Sequence, residues 1–332
     1  MDSAEQTWSD AVEQPSRSVV SQASVRPPQP AEAAAVQAVW ERSFGHDDPA
    51  GRPRGGWSVD AWATDVRVLV VNHDQVVGVA AVRAEPGAMS DGVVPARVAL
   101  EPGWRRPPLA DRLVEAAIDA AQAAAGDCVR LFVPGQAAWT ADAARRAGFE
   151  PVRTIFHMLR PADAPPFAPP SVPGLRIRSL EPGEEPRLLE ALNRAWAGTW
   201  NFIPIRPEML AHDLDGQRAG MLLGVDQRDP SRILATCHAV FDPTDRNPDG
   251  QPRAWISNLT VDPDHRGRGI GRAMLAAGLD DLRGRGAGSI TLGVDAGDAA
   301  PLRLYAAAGF SIASRLEAWD KGLSDTLSGT GS

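Results

Sequence analysis

Cysteine, lysine and tyrosine are rare in this 332-residue sequence, and long apolar runs are absent. The two cysteines, Cys128 and Cys237, lie in apolar stretches, so we expect buried free thiols and neither a disulfide framework nor a metal site. No stretch reaches the roughly 18 apolar residues of a membrane span, and no apolar signal-peptide segment follows Met1. These absences predict a cytoplasmic protein without a membrane partner.

The charge balance argues against a nucleic-acid partner. Asp and Glu number 42 against 34 Lys and Arg, so the formal net charge is −8, whereas nucleic-acid-binding domains carry basic surfaces. Lys321 is the only lysine and Tyr305 the only tyrosine. Hydrophobic residues make up 43% of the chain, which is typical of a globular protein with a buried core.

Proline-rich and polar stretches divide the chain into two halves. The stretch 161–173 carries six prolines, which exclude a helix or a central strand there and indicate a linker. The predicted organisation is a disordered segment at 1–30, a first domain at 31–160, the linker, a second domain at 174–321 and a disordered tail at 322–332.

The two halves repeat each other with an offset of 161 residues. Pro263 in Leu-Thr-Val-Asp-Pro follows Pro102 in Val-Ala-Leu-Glu-Pro by 161 positions, and Gly309 in Ala-Gly-Phe follows Gly148 by the same 161. Each half has an early helix, three strands, a helix, a strand, a short helix and a last strand, which predicts an α/β fold. Predicted helices include 31–44, 109–125, 186–196 and 270–283, and predicted strands include 66–71, 76–82, 149–158, 221–226, 233–241 and 310–319.

A glycine-rich loop follows the third strand of the second half, which ends at Val261. Alternating glycines let successive N–H groups point inward as an anion nest, and the helix N-terminus and two arginines add positive charge. A diphosphate site is predicted, with a plain turn or a Rossmann site as alternatives; the glycine spacing differs from a Rossmann motif. The predicted contacts are Arg266, Gly267, Arg268, Gly269, Ile270, Gly271 and Arg272.

These residues resemble the first motif of the GNAT superfamily of N-acetyltransferases. The pattern Val-x-Pro-x-x-Arg-Gly-x-Gly-x-Gly/Ala is matched from Val261 to Gly271. The second superfamily pattern, Asn-x-x-Ala-x-x-Leu-Tyr-x-x-x-Gly-Phe, is matched from Asp298 to Phe310, with Asp298 in place of the usual Asn and Pro301 in place of the usual Ala. The resemblance covers about 174–321 and implies two tandem GNAT-like domains, each a mixed, mostly antiparallel sheet flanked by helices.

The resemblance also implies that acetyl-CoA, as co-substrate, lies between two splayed strands while a primary amine attacks its thioester. Leu259, Thr260 and Val261 would contact acetyl-CoA, and backbone N–H groups there would stabilise the oxyanion. Asp298 would contact the pantetheine arm. Tyr305 would protonate the leaving thiolate as general acid, although packing is the simpler role of a lone tyrosine in a helix.

Two residues are candidates for the base side of this reaction. Asn258 could position a water, and His238, on a central strand, could accept the proton. A histidine on a central strand is more often a satisfied core group, so both roles stay open.

An aromatic segment of the second half is expected to border the acceptor. Trp196, Trp200 and Phe202 either stack on a substrate or close the core, and they favour a small-molecule amine acceptor. The tandem arrangement also resembles that of the mycothiol synthases, which acetylate a cysteinyl amino-sugar. A non-catalytic acyl-CoA sensor, favoured by Asp298 and opposed by Tyr305, is the alternative from another class.

The first half lacks the parts of this chemistry. The offset of 161 aligns Arg105 with Arg266 but puts prolines and bulkier residues at the glycine positions, and prolines remove N–H donors. The residues aligned with Gly267, Arg268, Gly269, Gly271, Asp298 and Tyr305 are Arg106, Pro107, Pro108, Ala110, Ala137 and Ala144. We predict that the first half keeps the fold, binds CoA poorly, does not catalyse, and pairs with the second as an internal pseudo-dimer.

Overall fold

The computed structural model describes residues 17–48, 50–51, 59, 63–71, 74–83, 92–169, 171–246 and 250–323. Its strands are β1 Ser24–Arg26, β2 Asp65–Val71, β3 Gln75–Val82, β4 Val93–Leu100, β5 Cys128–Pro134, β6 Glu150–Arg160, β7 Leu175–Ser179, β8 Met221–Asp226, β9 Ile233–Arg246, β10 Pro252–Val261, β11 Ser289–Asp295 and β12 Ser311–Gly322. Its helices are α1 Arg17–Gln22, α2 Ala33–Asp47, α3 Pro107–Ala123, α4 Ala138–Arg146, α5 Glu185–Trp196, α6 Pro207–Leu214, α7 Ile270–Gly284 and α8 Ala299–Ala307.

All twelve described strands join in one sheet, in the order β1-β2-β3-β4-β5-β12-β6-β11-β10-β9-β8-β7. β4 pairs with β5 and β10 with β11 in parallel, and the remaining neighbours pair antiparallel. The α/β class and the mixed, mostly antiparallel sheet are therefore confirmed. The repeat predicted the elements of each half but not that one sheet runs through both.

The two halves exchange their last strands. β6 pairs with β11 of the second half, and β12 pairs with β5 of the first. The registers match: Ile290 lies opposite Arg160, and their equivalents 161 positions away, Val129 and Lys321, lie opposite each other. Each half of the sheet is thus completed by a strand from the other half.

Two layers of helices cover the sheet. On one face, α3 and α4 bury the apolar side of the first half, while α7 and α8 bury that of the second. On the other face α2 covers the first half, and α5 and α6 cover the second. The apolar stripes of these helices recur at helical spacing, which explains why they form against an apolar sheet. No helix within the described residues is long and apolar enough to cross a membrane.

The proline-rich segment between the halves lies on the second half. Arg160 at the end of β6 is buried, and its Nε donates to the carbonyl of Ala308 at 2.8 Å. Arg283 in α7 donates to the carbonyl of Ala164 at 3.0 Å. Phe167 packs against the core beneath α7. The segment is therefore fastened along this helix by hydrogen bonds and apolar contacts.

The expected disorder at 1–30 is wrong for residues 17–30. The strand β1 pairs with β2, Ser24 lying opposite Val70, and Arg26 bonds Glu32 through both carboxylate oxygens. Val25 packs against the first core. The average composition of this segment is polar, which is why disorder is expected, but a few apolar residues in it cover the edge of the sheet. Residues 1–16 lie outside the described part of the chain.

Most of the expected tail at 322–332 also lies outside the described residues, which end at 323. Gly322 is the last residue of β12, and the N–H of Leu323 donates to the carbonyl of Asp127 at 2.9 Å. The start of this segment therefore extends the sheet.

Candidate functional site

A wedge opens between β10 and β11. Their parallel pairing ends where Ile256 lies opposite Leu292. Beyond that point β10 carries a bulge, because Ser257 pairs with His238 but the next register is three residues further on, at Thr260. The extra residue bends the strand away from β11. The wedge therefore exposes the backbone edge of 257–261, the stretch expected to contact acetyl-CoA.

Asn258 forms the bulge. Its φ of 45° is in the left-handed region, where asparagine is one of the better-tolerated residues. The hydroxyl of Thr236 donates to its carbonyl at 2.7 Å and lies 2.8 Å from the hydroxyl of Thr260. These hydroxyls fix the bulge from the neighbouring strand. The predicted role of Asn258 in positioning a water stays a prediction.

The glycine loop presents a row of unpaired N–H groups. Gly267 and Gly269 have φ values of 77° and 81°, which a side chain would strain. Within the described residues, no acceptor receives the backbone N–H groups of 267–272, and α7 starts only at Ile270. Alternating left-handed glycines ahead of a helix N-terminus turn these groups to one side, which suits an anion.

The arginines of the loop have different surroundings. Arg266 donates from Nε to Val261 O at 3.2 Å and from Nη2 to Ala195 O at 2.9 Å, so it fastens the loop to β10 and α5. Arg268 donates to Asp264 O at 3.0 Å and is exposed. The guanidinium of Arg272 lies 5.3 Å from the centre of the Phe167 ring in the proline-rich segment. Arg268 and Arg272 therefore border the row of N–H groups.

Tyr305 lies in α8, within the core beneath α7. It is 8% exposed, and its ring meets that of Phe310 edge-on at 6.0 Å. Burial, followed by the nearby Cys237 thiol and the Asp298 carboxylate, raises the pKa of its hydroxyl. The phenol therefore stays protonated at neutral pH, as a proton donor must.

Asp298 is the N-cap of α8. Its carboxylate accepts the N–H of Ala300 at 3.4 Å, and its side chain is exposed. Aspartate is a preferred N-cap residue, so the replacement of the usual Asn has a local structural reason. Its contact with the pantetheine arm stays a prediction.

His238 and Tyr305 lie on opposite faces of the sheet. His238 is 1% exposed, and its Nε2 lies 3.3 Å from the carbonyl of Gln217. Cys237, its neighbour on β9, points to the other face, and burial raises the pKa of this thiol to about 12. His238 is thus enclosed by protein. This burial does not favour the predicted role of base, which stays a prediction.

The aromatic segment after α5 crosses to the first half. Trp196 packs beside the core under α5. Trp200 lies over β5 and β12, with the guanidinium of Arg130 4.5 Å from its ring centre and that of Arg153 at 5.7 Å. Phe202 is half-buried. Both guanidinium groups lie over the Trp200 ring, so Trp200 belongs to a wall to which both halves contribute side chains.

Sequence reasoning missed a cavity of about 740 Å³ between the halves. It lies where β11 ends, beside the N-terminus of α8. Arg153 and Asp295 form an ion pair across it at 2.6 Å. No signal in the sequence could place it, because the strand exchange creates it. Its lining includes Arg145, Arg153, Asp295, Gly297, Glu317 and Trp319.

The equivalent loop of the first half is closed. Arg105 donates from Nε to Leu100 O at 3.2 Å, as Arg266 does to Val261. Here, however, the N–H groups of Leu109 and Ala110 bond the carbonyl of Arg106 at 3.0 and 2.9 Å. The helix begins at Pro107, so internal bonds and prolines leave no row of free donors.

Comparison with known proteins assigns the chain to a family. Residues 185–310 match the family model described as Acetyltransferase (GNAT) family. The chain belongs to this family, and it is an N-acetyltransferase. A mycothiol acetyltransferase of Thermobispora bispora is 31% identical over 256 residues, 74% of this chain and 79% of the relative. One from Actinosynnema mirum is 32% identical over 229 residues, 67% of this chain and 73% of the relative.

Solved structures with the same fold cover nearly the whole chain. A GCN5-related N-acetyltransferase from Sphaerobacter thermophilus superposes with a TM-score of 0.70 at 22% identity, covering 91% of this chain and 96% of that one. A tandem GNAT protein from the clavulanic acid biosynthesis pathway gives 0.67 at 17% identity, covering 92% and 100%. At these identities the likeness concerns the fold.

Proposed function

We propose that this chain transfers the acetyl group of acetyl-CoA to the primary amine of a small molecule, a cysteinyl amino-sugar. The unpaired N–H groups of 267–272 beside the wedge carry the proposal. A row of N–H donors at a helix N-terminus binds a pyrophosphate, and the free edge of 257–261 can pair with the amide groups of a pantetheine arm. The acceptor class is supported by the names of the relatives at 31% and 32% identity.

The residues of the second half suit direct transfer. The amine nitrogen attacks the thioester carbon, the C–S bond breaks, and the sulfur takes a proton from the Tyr305 hydroxyl. The raised pKa of this buried phenol keeps that proton in place until the thiolate forms. Backbone N–H groups at the bulge stabilise the oxygen that becomes negative.

The cavity between the halves suits a cationic, hydroxyl-rich acceptor. Asp295 and Glu317 supply carboxylates, Arg153 supplies donors, and Trp319 supplies an apolar surface. Since both halves line this cavity, we infer that they form an internal pseudo-dimer in which the first half is structural. The replacement of Asn by Asp298 was the feature that favoured a non-catalytic sensor. Because Asp298 is explained as an N-cap, it no longer favours that alternative.

The test is acetyl-CoA consumption with the cysteine amide of glucosamine as acceptor. CoA is best quantified by chromatography, because the acceptor has its own thiol and would react with thiol reagents. We expect turnover with this amide and a product acetylated on the cysteinyl nitrogen. Glucosamine without the cysteinyl group is the matched control. Faster turnover with glucosamine, or none with either compound, would contradict the proposed acceptor.

A further inference from the structure

We infer that the first half contributes the base: His157 of the exchanged strand β6, oriented by Asp48, accepts the proton of the acceptor amine. This inference rests on the proposed function. Asp48 follows α2, and its carboxylate lies 2.9 Å from His157 Nδ1. The Ser314 hydroxyl on β12 donates to the same carboxylate at 2.5 Å. Three segments from both halves therefore meet at one buried polar group.

The position of His157 brings it to the wedge. His157 pairs with Gly293, which is the first residue of β11 beyond its pairing with β10. Adjacent strands lie about 4.8 Å apart, so the imidazole lies one strand from the opening. Gly293 adds no side chain, and a Cβ there would lie 3.7 Å from His157 Cδ2 and 3.6 Å from Trp255 Cζ2. Both rings therefore lie directly beside Gly293, at the point where β11 separates from β10.

His157 and Tyr305 act from opposite faces. Leu292 and Val294 pack with Tyr305 under α7, so the intervening Gly293 and its partner His157 belong to the other face. With an acid on one face of the sheet and a base on the other, the amine can lose its proton as the thiol gains one. His238 also lies one strand from the wedge, on β9, but it is 1% exposed and its Nε2 lies 3.3 Å from the Gln217 carbonyl.

The hydrogen bonds define which nitrogen is available. An ionised carboxylate only accepts, so Asp48 selects the tautomer with the proton on Nδ1. His157 Nε2 makes no hydrogen bond with any described residue, and its lone pair is left for a proton. Burial opposes ionisation of Asp48, but the hydrogen bond and charge of the His157 imidazolium, the hydrogen bond from Ser314 and the charge of Arg97 outweigh it and lower the pKa of the carboxyl.

The groups around the ring come from five elements. The segment after α2 supplies Asp48, β4 supplies Arg97 through its charge on Asp48, and β12 supplies the neutral Ser314. From β10 the neutral Trp255 meets the imidazole edge at 5.7 Å, and β11 supplies Gly293. The proton balance is simple. An acceptor ammonium loses two protons: one leaves through Nε2 to solvent, and the other replaces the proton that Tyr305 gives to sulfur.

The repeat offers an internal contrast. The position equivalent to His157 in β12 is Ala318, which pairs with Phe132 and lies under Trp200. The aligned positions thus hold neither a base, at Ala318, nor an acid, at Ala144. The two halves differ in both proton-transfer groups at once.

The experiment uses the full chain with acetyl-CoA and the cysteine amide of glucosamine. His157→Gln is expected to lower kcat/KM at neutral pH about 100-fold while leaving the Kd for acetyl-CoA unchanged. The deficit should shrink as pH rises, because solution then supplies the neutral amine. Added imidazole should restore part of the rate in His157→Ala. Asp48→Asn, a positioning change, should lower kcat/KM about 10-fold while leaving the Kd for acetyl-CoA unchanged.

His212→Gln is the matched control, because it makes the same substitution at an exposed histidine of α6 outside the proposed site. It should stay within about 2-fold of the parent enzyme, and thermal unfolding of every variant checks the fold. If His157→Gln keeps the parental kcat/KM and pH profile, the inference is overturned while the proposed function stands. A parent enzyme that is inactive with this acceptor overturns the proposed function, and the base assignment falls with it.

Discussion

The loops after β4 and β10 share one arginine hydrogen bond but differ in whether their backbone N–H groups are bonded within the loop. Arg105 and Arg266 make the same hydrogen bond to the end of the preceding strand. Around them, one loop satisfies its own N–H groups and the other leaves a row of them free. The arginine serves the shared architecture, and the proposed role of the glycines is to bind the cofactor. On that proposal, a copy that loses its glycines keeps its shape and loses its site.

The most disruptive test replaces residues 266–271 with Arg-Arg-Pro-Pro-Leu-Ala, the sequence of 105–110. Two N–H donors disappear and the helix is free to start earlier, so acetyl-CoA affinity should fall about 100-fold, roughly 3 kcal/mol. Isothermal titration measures the loss. The intact parent should bind one acetyl-CoA per chain, because the first-half loop is closed. A stoichiometry of two would contradict the contrast between the loops.

Tyr305→Phe should lower kcat about 100-fold while leaving acetyl-CoA affinity within about 2-fold, because only the hydroxyl is lost and packing against Phe310 remains. Steady-state rates and titration separate the two effects. An equally active variant would remove Tyr305 from its role as acid. Ala144→Ser, at the equivalent buried position of the first half, is the control and should leave kcat unchanged.

Substitution of Gly278 in α7 tests a difference in helix packing between the two halves. Its first-half equivalent is Ala117, which is buried in α3. A Cβ at 278 would lie 2.6 Å from the Cys237 sulfur. Gly278→Ala should therefore destabilise the chain by about 1–2 kcal/mol net, since overpacking exceeds the gain in helix propensity. In a Cys237→Ala background the penalty should vanish, and denaturant unfolding of the four proteins gives the coupling. Additive effects would show that the helix shifts instead.

The smallest expected effect concerns an ion pair present in both halves. Arg178 bonds Glu184, and Glu184 also accepts the N–H of Glu181. These bonds hold the pKa of Glu184 at about 2. A lowered carboxyl pKa gives stability above the unfolded value of about 4.3, and this is lost as pH falls toward 2. Glu184→Gln should cost about 1 kcal/mol at pH 7 after screening and less at pH 3.

The first half has the same arrangement in Arg26 and Glu32, with Gln29 donating its N–H. Glu32 is more exposed than Glu184, with 13% against 6% of the side chain accessible. Glu32→Gln should therefore cost less than Glu184→Gln at pH 7. An equal or larger loss in urea unfolding would contradict the ranking by exposure.

The sequence predicted the helices and strands more successfully than it predicted which strands pair with each other. The 161-residue offset and the apolar periodicity gave the helices and strands, because both patterns are local. The exchange of β6 and β12 depends on which edges meet, and no local pattern encodes that. The start of the repeat at Arg26 was missed although Arg-x-x-Gln-Pro-x-Glu matches Arg-x-x-Glu-Pro-x-Glu from Arg178, because the spacing there is 152 and not 161.

The proposed site residues also divide into those that sequence motifs predict and those that they do not. Glycines and Tyr305 follow spacing rules, so the cofactor side could be predicted from the second half alone. His157 and Asp48 could not, since both belong to the half that lacks every motif and approach the wedge only through the exchanged strand. The cavity near Asp295 likewise exists only where the two halves meet.

The exchange of last strands also limits how such a chain can change over generations. After duplication, mutation can erase one site freely, since the surviving copy supplies the activity. Deletion of the first half would remove β6, and β11 would then present a long unpaired edge open to aggregation. Gene duplication is in this way hard to reverse: the first half is inherited because the sheet of the second half is incomplete without it.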